Sequence, residues 1–181
     1  MTDDLKTQLA NLYPFYKKGR KPPEYNDLSI EETYQKFKKD FLPLCPLTDK
    51  LERTIHVVAL NFRKLLNLKH KILGDKARAY MLIEELEGGT FNSDNYTWEP
   101  DRIQTLFWVP EVITDPDAIY KNNHKVVKAD EVYVCVYDKG GSKVKLAFTS
   151  TYNNRLEIVS GYLTDAKTAM YAASGQPLYR K

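Results

Sequence analysis

A change of hydrophobic period near residue 128 constrains the fold more than any other feature of the sequence. Beyond it, apolar side chains alternate with period two in three short segments, residues 132–137, 144–152 and 155–163. Such alternation predicts strands, and the short connections between the segments predict hairpins. Three consecutive hairpin-linked strands form an antiparallel meander. The C-terminal third is therefore predicted to be a sheet.

Upstream of this sheet the signals are helical. Ser29 and Glu32 have capping-box spacing, which predicts a helix that ends before Pro43. Apolar spacing over residues 57–73 predicts a long helix, with Lys69 and His70 off its buried stripe.

A shorter helix is predicted to close at Gly88-Gly89. Two helical pieces are predicted within residues 99–120, and Arg102 lies in the first turn of that region. The tail predicts a short helix and a last extended piece at residues 177–181. The fold class is therefore α+β, with N-terminal helices packed on a small C-terminal antiparallel sheet of about four strands.

Composition excludes several classes of protein. The chain has 181 residues, of which 43% are hydrophobic and 28% charged, as in ordinary globular proteins. No apolar run is long enough to span a bilayer and no signal peptide is evident, so we expect a cytoplasmic protein without a membrane partner. Cys45 and Cys135 lack metal-site spacing, and no phosphate-loop or zinc-hydrolase motif occurs, so no metal or cofactor is expected.

The distribution of charge is more informative than the net charge of +3. Lysine and arginine crowd residues 17–21 and 63–71, and the chain contains thirteen tyrosines. Basic groups beside aromatic rings suit a phosphate backbone and splayed bases. A solvated basic face is the alternative interpretation of each cluster.

The remaining polar residues suit one metal-free reaction. The 2′-hydroxyl of RNA attacks the adjacent phosphate when one group removes its proton, another protonates the leaving 5′-oxygen, and cations or hydroxyls steady the charge. The candidates for these roles are His56, His70, His124, Arg102, Arg155, Thr149, Ser160 and several tyrosines.

Each candidate also has a structural interpretation. His70 can be an exposed helical histidine, His56 a core histidine, and Thr149 and Ser160 ordinary strand residues. Tyr133, Cys135 and Tyr137 oppose the valines of the first strand, where they either cover solvent or stack on bases. Arg102 is unfavourably placed for the helix dipole, which favours a functional or ion-pair role.

A pattern of residue types extends the argument. It consists of Arg102, Leu106, Trp108, Val109, Ile113, Pro116 and Ile119, followed by the strand ending IVSGY at 158–162 and the tail PLY at 177–179. Over about residues 54–181 this pattern resembles phage-associated ribonuclease domains of the barnase, EndoU, colicin and RelE superfamily. Ser160 stands where threonine is commoner in that superfamily.

The resemblance implies helices packed on a four-stranded antiparallel sheet and metal-independent cleavage of RNA, often tRNA, by toxin or effector modules. It implies a site containing Lys69-His70, Arg102 and Ser160. Residues 51–181 are then a ribonuclease-like α+β domain, and residues 1–50 a helical extension without a counterpart. That extension is either a connector from a larger toxin or a surface for an immunity or antitoxin protein.

The leading hypothesis is an endoribonuclease that leaves a 2′,3′-cyclic phosphate. In it Lys69, Arg102 and Arg155 hold phosphate, His70 is the acid or base, and Ser160 and Tyr162 hydrogen-bond the scissile group. Further substrate contacts are predicted from Thr149, Tyr133 and His56.

Two other functions compete with this hypothesis. An ADP-ribosyltransferase-like toxin would use the Thr-Ser-Thr run at 149–151 and Glu157 as its catalytic carboxylate. A non-catalytic RNA- or protein-binding module would need neither His70 nor Ser160.

The register of the last strand decides where Ser160 points. A three-residue turn at 153–155 would put Leu156, Ile158 and Ser160 in phase with Phe148, which would bury the hydroxyl. A two-residue turn, or a bulge near Gly161, would re-aim it.

Overall fold

A computed structural model describes residues 28–74, 76–99, 101–106, 108–136 and 143–181. Its centre is a curled, mixed sheet of seven strands, so the class is α+β but the predicted small sheet of about four strands is wrong. The basic segment 17–21 and Tyr137 lie outside the described residues.

The seven-stranded sheet has the order β1-β2-β8-β7-β6-β5-β9, and β3 pairs with β4 in a separate small sheet. The strands are β1 (Leu47–Thr48), β2 (Thr54–His56), β3 (Lys69–His70), β4 (Tyr96–Thr97), β5 (Ala118–Lys121), β6 (Glu131–Val136), β7 (Lys143–Tyr152), β8 (Arg155–Asp165) and β9 (Pro177–Arg180). Neighbours are antiparallel except β2 and β8, which are parallel. The predicted meander is β6-β7-β8, and the extended tail is β9.

The helices are mostly short. They are α1 (Ile30–Lys36), α2 (Asn61–Leu65), α3 (Ala79–Gly88), α4 (Asp101–Leu106), α5 (Val109–Thr114) and α6 (Ala166–Ala172), with a π-helical turn at Phe37–Phe41 and 3-10 turns at Leu42–Leu44 and Ser93–Asn95. The capping box at Ser29 is confirmed, because its side chain accepts a hydrogen bond from the amide of Glu32. Gly89, with a φ of 72°, ends α3 as predicted.

The long helix predicted over residues 57–73 is wrong. Asn67 adopts a φ of 52°, which stops the helical path just after α2. Lys69 and His70 lie instead in β3, paired with Thr97 and Tyr96. The apolar stripe that predicted one helix is divided between α2 and the segment that follows it.

Each face of the large sheet carries its own core. On one side, here called the Tyr133 face, Tyr133, Cys135, Ala147 and Ile158 pack against helices α1 to α5. On the other side, the Val132 face, the buried residues are Val132, Val134, Val136, Val144, Leu146 and Phe148, packed against α6. Val132, Val134 and Val136 pair across β6 and β7 with Phe148, Leu146 and Val144, which places both sets on this face.

Residues 28–50 belong to the core of the Tyr133 face. Ile30, Tyr34, Phe37 and Phe41 are buried there together with Phe62 of α2. Because residues 1–27 lie outside the described part, the division of the chain at residue 50 stays a prediction.

A two-residue turn and a bulge set the register of β8. Asn153 and Asn154 both have positive φ, as a tight hairpin turn requires, and Tyr152 pairs with Arg155. Ile158 therefore pairs with Thr149 on the Tyr133 face, so the in-phase pairing expected from a three-residue turn is wrong. The register then shifts, and Ser160 pairs with Phe148. This bulge returns Ser160 and Tyr162 to the Val132 face.

Gly161 permits a helix to approach β8 closely. A Cβ atom at this position would lie 2.7 Å from Cγ2 of Val109, so a larger residue would collide with α5. Helix α5 thus packs against the Tyr133 face of β8, directly behind Ser160 and Tyr162.

Within the described ranges, none of the helices is both long and apolar enough to cross a membrane.

Candidate functional site

Arg102, Ser160 and Tyr162 form a contact cluster on β8. Nη1 of Arg102 donates a hydrogen bond to Oγ of Ser160 over 3.0 Å. The guanidinium carbon lies 5.1 Å from the centroid of the Tyr162 ring, a cation–π distance. Three residues assigned to one site from the sequence are therefore adjacent in space.

Glu99 and Asn67 hold the arginine in place. Nε of Arg102 donates to Oε2 of Glu99 over 2.5 Å, and Nδ2 of Asn67 donates to the other carboxylate oxygen over 3.0 Å. Nη2 of Arg102 makes no hydrogen bond with any residue that the structure describes. Nη2 of an otherwise fixed guanidinium therefore has donor capacity left for an anion.

Tyr162 is half-buried at the border between this cluster and the apolar core. Its ring stacks on Phe148 with centroids 5.7 Å apart. Burial raises the pKa of its hydroxyl, Arg102 offsets part of that rise, and Glu99 adds to it. The hydroxyl is thus a neutral donor at physiological pH.

Ser160 is more enclosed than its predicted role suggested. Only 7% of its surface is exposed, and its oxygen already accepts a bond from Arg102. Ser160 is therefore suited to orienting the guanidinium rather than to contacting a ligand directly.

His56 of β2 and Glu157 of β8 lie on the same face of the sheet as Ser160 and Tyr162, farther along β8. They are register partners across the parallel β2–β8 pair, so their side chains project from the same side of the sheet. Glu157 pairs with Ser150 across β7, which places both histidine and carboxylate on the Val132 face. Nδ2 of Asn61, from α2, lies 3.5 Å from Oε1 of Glu157.

The turn that begins β8 adds a cationic and aromatic group. Nζ of Lys64 lies 4.6 Å from the centroid of the Tyr152 ring and 3.5 Å from its hydroxyl. Tyr152 is the register partner of Arg155, and all three side chains are exposed.

His70 and Lys69 are held in the small sheet, and the described contacts do not join them to Arg102. Nδ1 of His70 accepts hydrogen bonds from the amides of Ile72 and Leu73, each over 3.1 Å. The ring also meets Tyr96 edge-on at 5.0 Å. His124 accepts two equivalent hydrogen bonds from backbone amides in its own loop. The same geometry at His70 therefore suits a residue that shapes a turn.

Tyr133 does not cover solvent or present a ring for stacking, as the sequence suggested, because it is fully buried. Its hydroxyl donates to Oδ2 of Asp49 over 2.6 Å and accepts from Arg53 over 3.0 Å. Burial raises the pKa of this hydroxyl, and the bond to Asp49 raises it further. Tyr133 therefore belongs to a structural network.

Thr149 is also fully buried on the Tyr133 face, and its hydroxyl has no hydrogen-bond partner among the described residues. It cannot reach a ligand on the Val132 face of β8. Cys135 lies on the Tyr133 face too and is likewise buried.

Several residues of this surface were not among the candidates from the sequence. Asn67, Lys64 and Tyr152 each act through a contact with a residue distant in sequence, so no local motif marks them. Two signals were usable: Glu99 stands three residues before Arg102, an ion-pair spacing, and Tyr152 directly precedes Asn153-Asn154, where a ring beside a tight turn is exposed.

Among the described residues, His, Cys, Asp and Glu form no group of three that could hold a metal ion.

Comparison with known proteins gives no relative. No protein-family model, no curated protein and no solved structure matches the chain.

Proposed function

We propose that the chain is a metal-independent endoribonuclease whose active site lies on the Val132 face of β8. The observation that carries this proposal is the fixed guanidinium of Arg102, which is oriented by Glu99 and Ser160 and keeps Nη2 uncommitted among the described residues. Such a group suits a phosphodiester, because Nη2 can donate a charge-assisted hydrogen bond to a phosphate oxygen.

Proton transfer is assigned to Glu157 and His56. A carboxylate and an imidazole are common groups for general acid–base catalysis. Glu157 lies three residues before Ser160, which is roughly 10 Å along a strand. Glu157 and His56 project from the Val132 face, which is the face on which Arg102 would hold a phosphate.

The proposed step forms one bond and breaks one. Glu157 takes the proton of the 2′-hydroxyl as its oxygen bonds to phosphorus. The bond from phosphorus to the 5′-oxygen breaks, and His56 gives its proton to that oxygen. The products are a 2′,3′-cyclic phosphate and a 5′-hydroxyl, while Arg102 and the Tyr162 hydroxyl stabilise the charged phosphorane.

The toxin or effector role, and an immunity or antitoxin protein as partner, rest only on the resemblance of residue types. They stay predictions.

The test is a gel of tRNA and total RNA incubated with purified protein in EDTA. We expect cleavage by the wild type, and losses of about 100-fold or more for Arg102→Ala and Glu157→Gln. His56→Ala should also be impaired. Intact RNA with the wild type, or undiminished cleavage by Arg102→Ala, would contradict the proposal.

His70 and His124 provide a matched comparison, because both rings accept two backbone amides in the same way. If His70 only shapes its turn, His70→Ala and His124→Ala retain equal cleavage rates. Selective loss in His70→Ala would return the acid–base role to His70.

A further inference from the structure

The turn that begins β8 carries an exposed group of two cations around an aromatic ring. Nζ of Lys64 lies over the ring of Tyr152, a residue that is 41% exposed, and Arg155 faces Tyr152 across the hairpin. The side chain of Arg155 makes no hydrogen bond with the described residues. An exposed ring beside two cations is a common element of single-stranded nucleic-acid sites.

This group lies on the same face as the proposed active site. Tyr152, Arg155, Glu157 and Tyr162 all project from the Val132 face, by the alternation of β7 and β8 and the bulge before Ser160. Arg155 precedes Ser160 by five residues, or roughly 17 Å of strand. A ligand that reaches both ends must be extended and longer than one nucleotide.

We infer that Lys64, Tyr152 and Arg155 form a nucleotide-binding subsite that holds single-stranded RNA along β8, several residues away from the scissile phosphate. A base stacks on Tyr152 while Lys64 and Arg155 contact the flanking phosphates. The choice of RNA as ligand rests on the proposed function. Duplex RNA is excluded from this subsite, because its bases are stacked on each other and have no free face for the ring.

The carboxylates on this face fit the same ligand. Glu99 is ion-paired with Arg102, so its charge is largely compensated. Glu157 stands between the two cationic ends, where a carboxylate can accept hydrogen bonds from 2′-hydroxyls or base amino groups. Binding of the RNA therefore does not need an unbroken row of cations along β8. The ring of Tyr152 provides the sequence-tolerant contact.

The experiment measures binding separately from cleavage. The probe is fluorescein-labelled 2′-O-methyl decauridine, which has no free 2′-hydroxyl and cannot be cleaved by the proposed step, and the readout is fluorescence anisotropy. We expect Tyr152→Ala to weaken binding at least about fivefold, the lower end of the cost of removing one stacking ring. Tyr152→Phe should stay within about twofold, because the ring is kept. Lys64→Ala should weaken binding and lower the salt slope by about one.

The pair of Arg78 and Tyr80 is the matched control. It is another exposed cation–π pair, at 5.8 Å, but it lies at the start of α3 and not on β8. Arg78→Ala and Tyr80→Ala should bind the probe like the wild type. Thermal melting of every variant checks that the fold is kept.

The inference is overturned if the wild type does not bind the probe or prefers a duplex. It is also overturned if Tyr152→Ala binds as the wild type does, or if the Arg78 and Tyr80 variants weaken binding equally. Binding that depends on Tyr152, without cleavage of unmodified RNA, supports the subsite and contradicts only the proposed catalysis. Cleavage with unaltered binding by Tyr152→Ala overturns the subsite alone.

Discussion

Two arginines of this chain make similar contacts to different effect. Arg53 donates from all three nitrogens, to Asp49, to both oxygens of Glu131 and to the Tyr133 hydroxyl. Arg102 donates from two nitrogens, to a glutamate and a serine, and lies over a tyrosine ring.

The exposure of the carboxylates separates the two clusters. The side chains of Asp49 and Glu131 are 0% and 6% exposed, whereas that of Glu99 is 51% exposed. The Arg53 cluster is saturated and ties the β1–β2 hairpin to β6, so its role is structural. The Arg102 side chain is itself only 15% exposed, but its carboxylate partner is open to solvent and its Nη2 makes no hydrogen bond with the described residues. Residue types alone do not distinguish the two clusters, which differ in the number of uncommitted donors and in the exposure of their carboxylates.

The largest expected effect comes from Arg53→Met, which leaves the buried carboxylate of Asp49 without its cation and that of Glu131 with only Lys121, 3.8 Å away. We expect the free energy of unfolding to fall by about 3–5 kcal/mol. Arg102→Met should cost about 1 kcal/mol or less, because Glu99 regains water. Urea denaturation measures both. Equal losses for the two variants would remove the distinction between the clusters.

The next largest effect on stability tests the close approach of α5 to β8 at Gly161, beside the Arg102 cluster. In Gly161→Ala the new methyl group meets Val109 at 2.7 Å, and the overpacking should cost about 1–3 kcal/mol. Gly88→Ala is the control, since its Cβ would meet only Thr90 at 4.0 Å. A Gly161→Ala protein as stable as Gly88→Ala would show that α5 can move away from β8.

Alkaline pH should lower the stability that the Arg53 cluster contributes through Tyr133. The pKa of Tyr133 is raised above its ordinary value of 10.0, so its stabilising contribution is complete below pH 10 and is lost as the pH rises through the folded-state value. The slope attributable to this tyrosine is at most about 1.4 kcal/mol per pH unit. Tyr133→Phe should flatten the decline in unfolding free energy above pH 10. An unchanged slope would place the titration elsewhere.

The smallest effect concerns the turn that presents Tyr152. Asn154 has a φ of 63°, which glycine adopts at lower cost, so Asn154→Gly should raise stability by about 0.5 kcal/mol. RNA binding should not change, because the turn contributes geometry and no side-chain contact. Weakened binding in this variant would assign a ligand contact to Asn154.

The sequence predicted what depends on local periodicity and missed what depends on distant pairing. The meander and the capping box at Ser29 follow from patterns within a few residues. Strands β1, β2 and β5 have two to four residues, too few for alternation to be recognised. The parallel pairing of β2 with β8 joins segments about 100 residues apart, and nothing local encodes it.

The candidate site divides in the same way. Arg102 and Ser160 were assigned to one site, and their side chains are in contact. His70 was placed on a helix that is in fact interrupted at Asn67. The face to which Ser160 belongs depends on a one-residue bulge, and a bulge leaves no mark in an alternating sequence.

The most direct test of the central claim is mass spectrometry of the termini released from tRNA in EDTA by the wild type, Arg102→Ala and Arg78→Ala. We predict 2′,3′-cyclic phosphate ends from the wild type and Arg78→Ala, and a loss of about 100-fold or more for Arg102→Ala. Equal yields from Arg102→Ala and the wild type, or no cleavage by any of the three, would contradict a ribonuclease site on the Val132 face of β8.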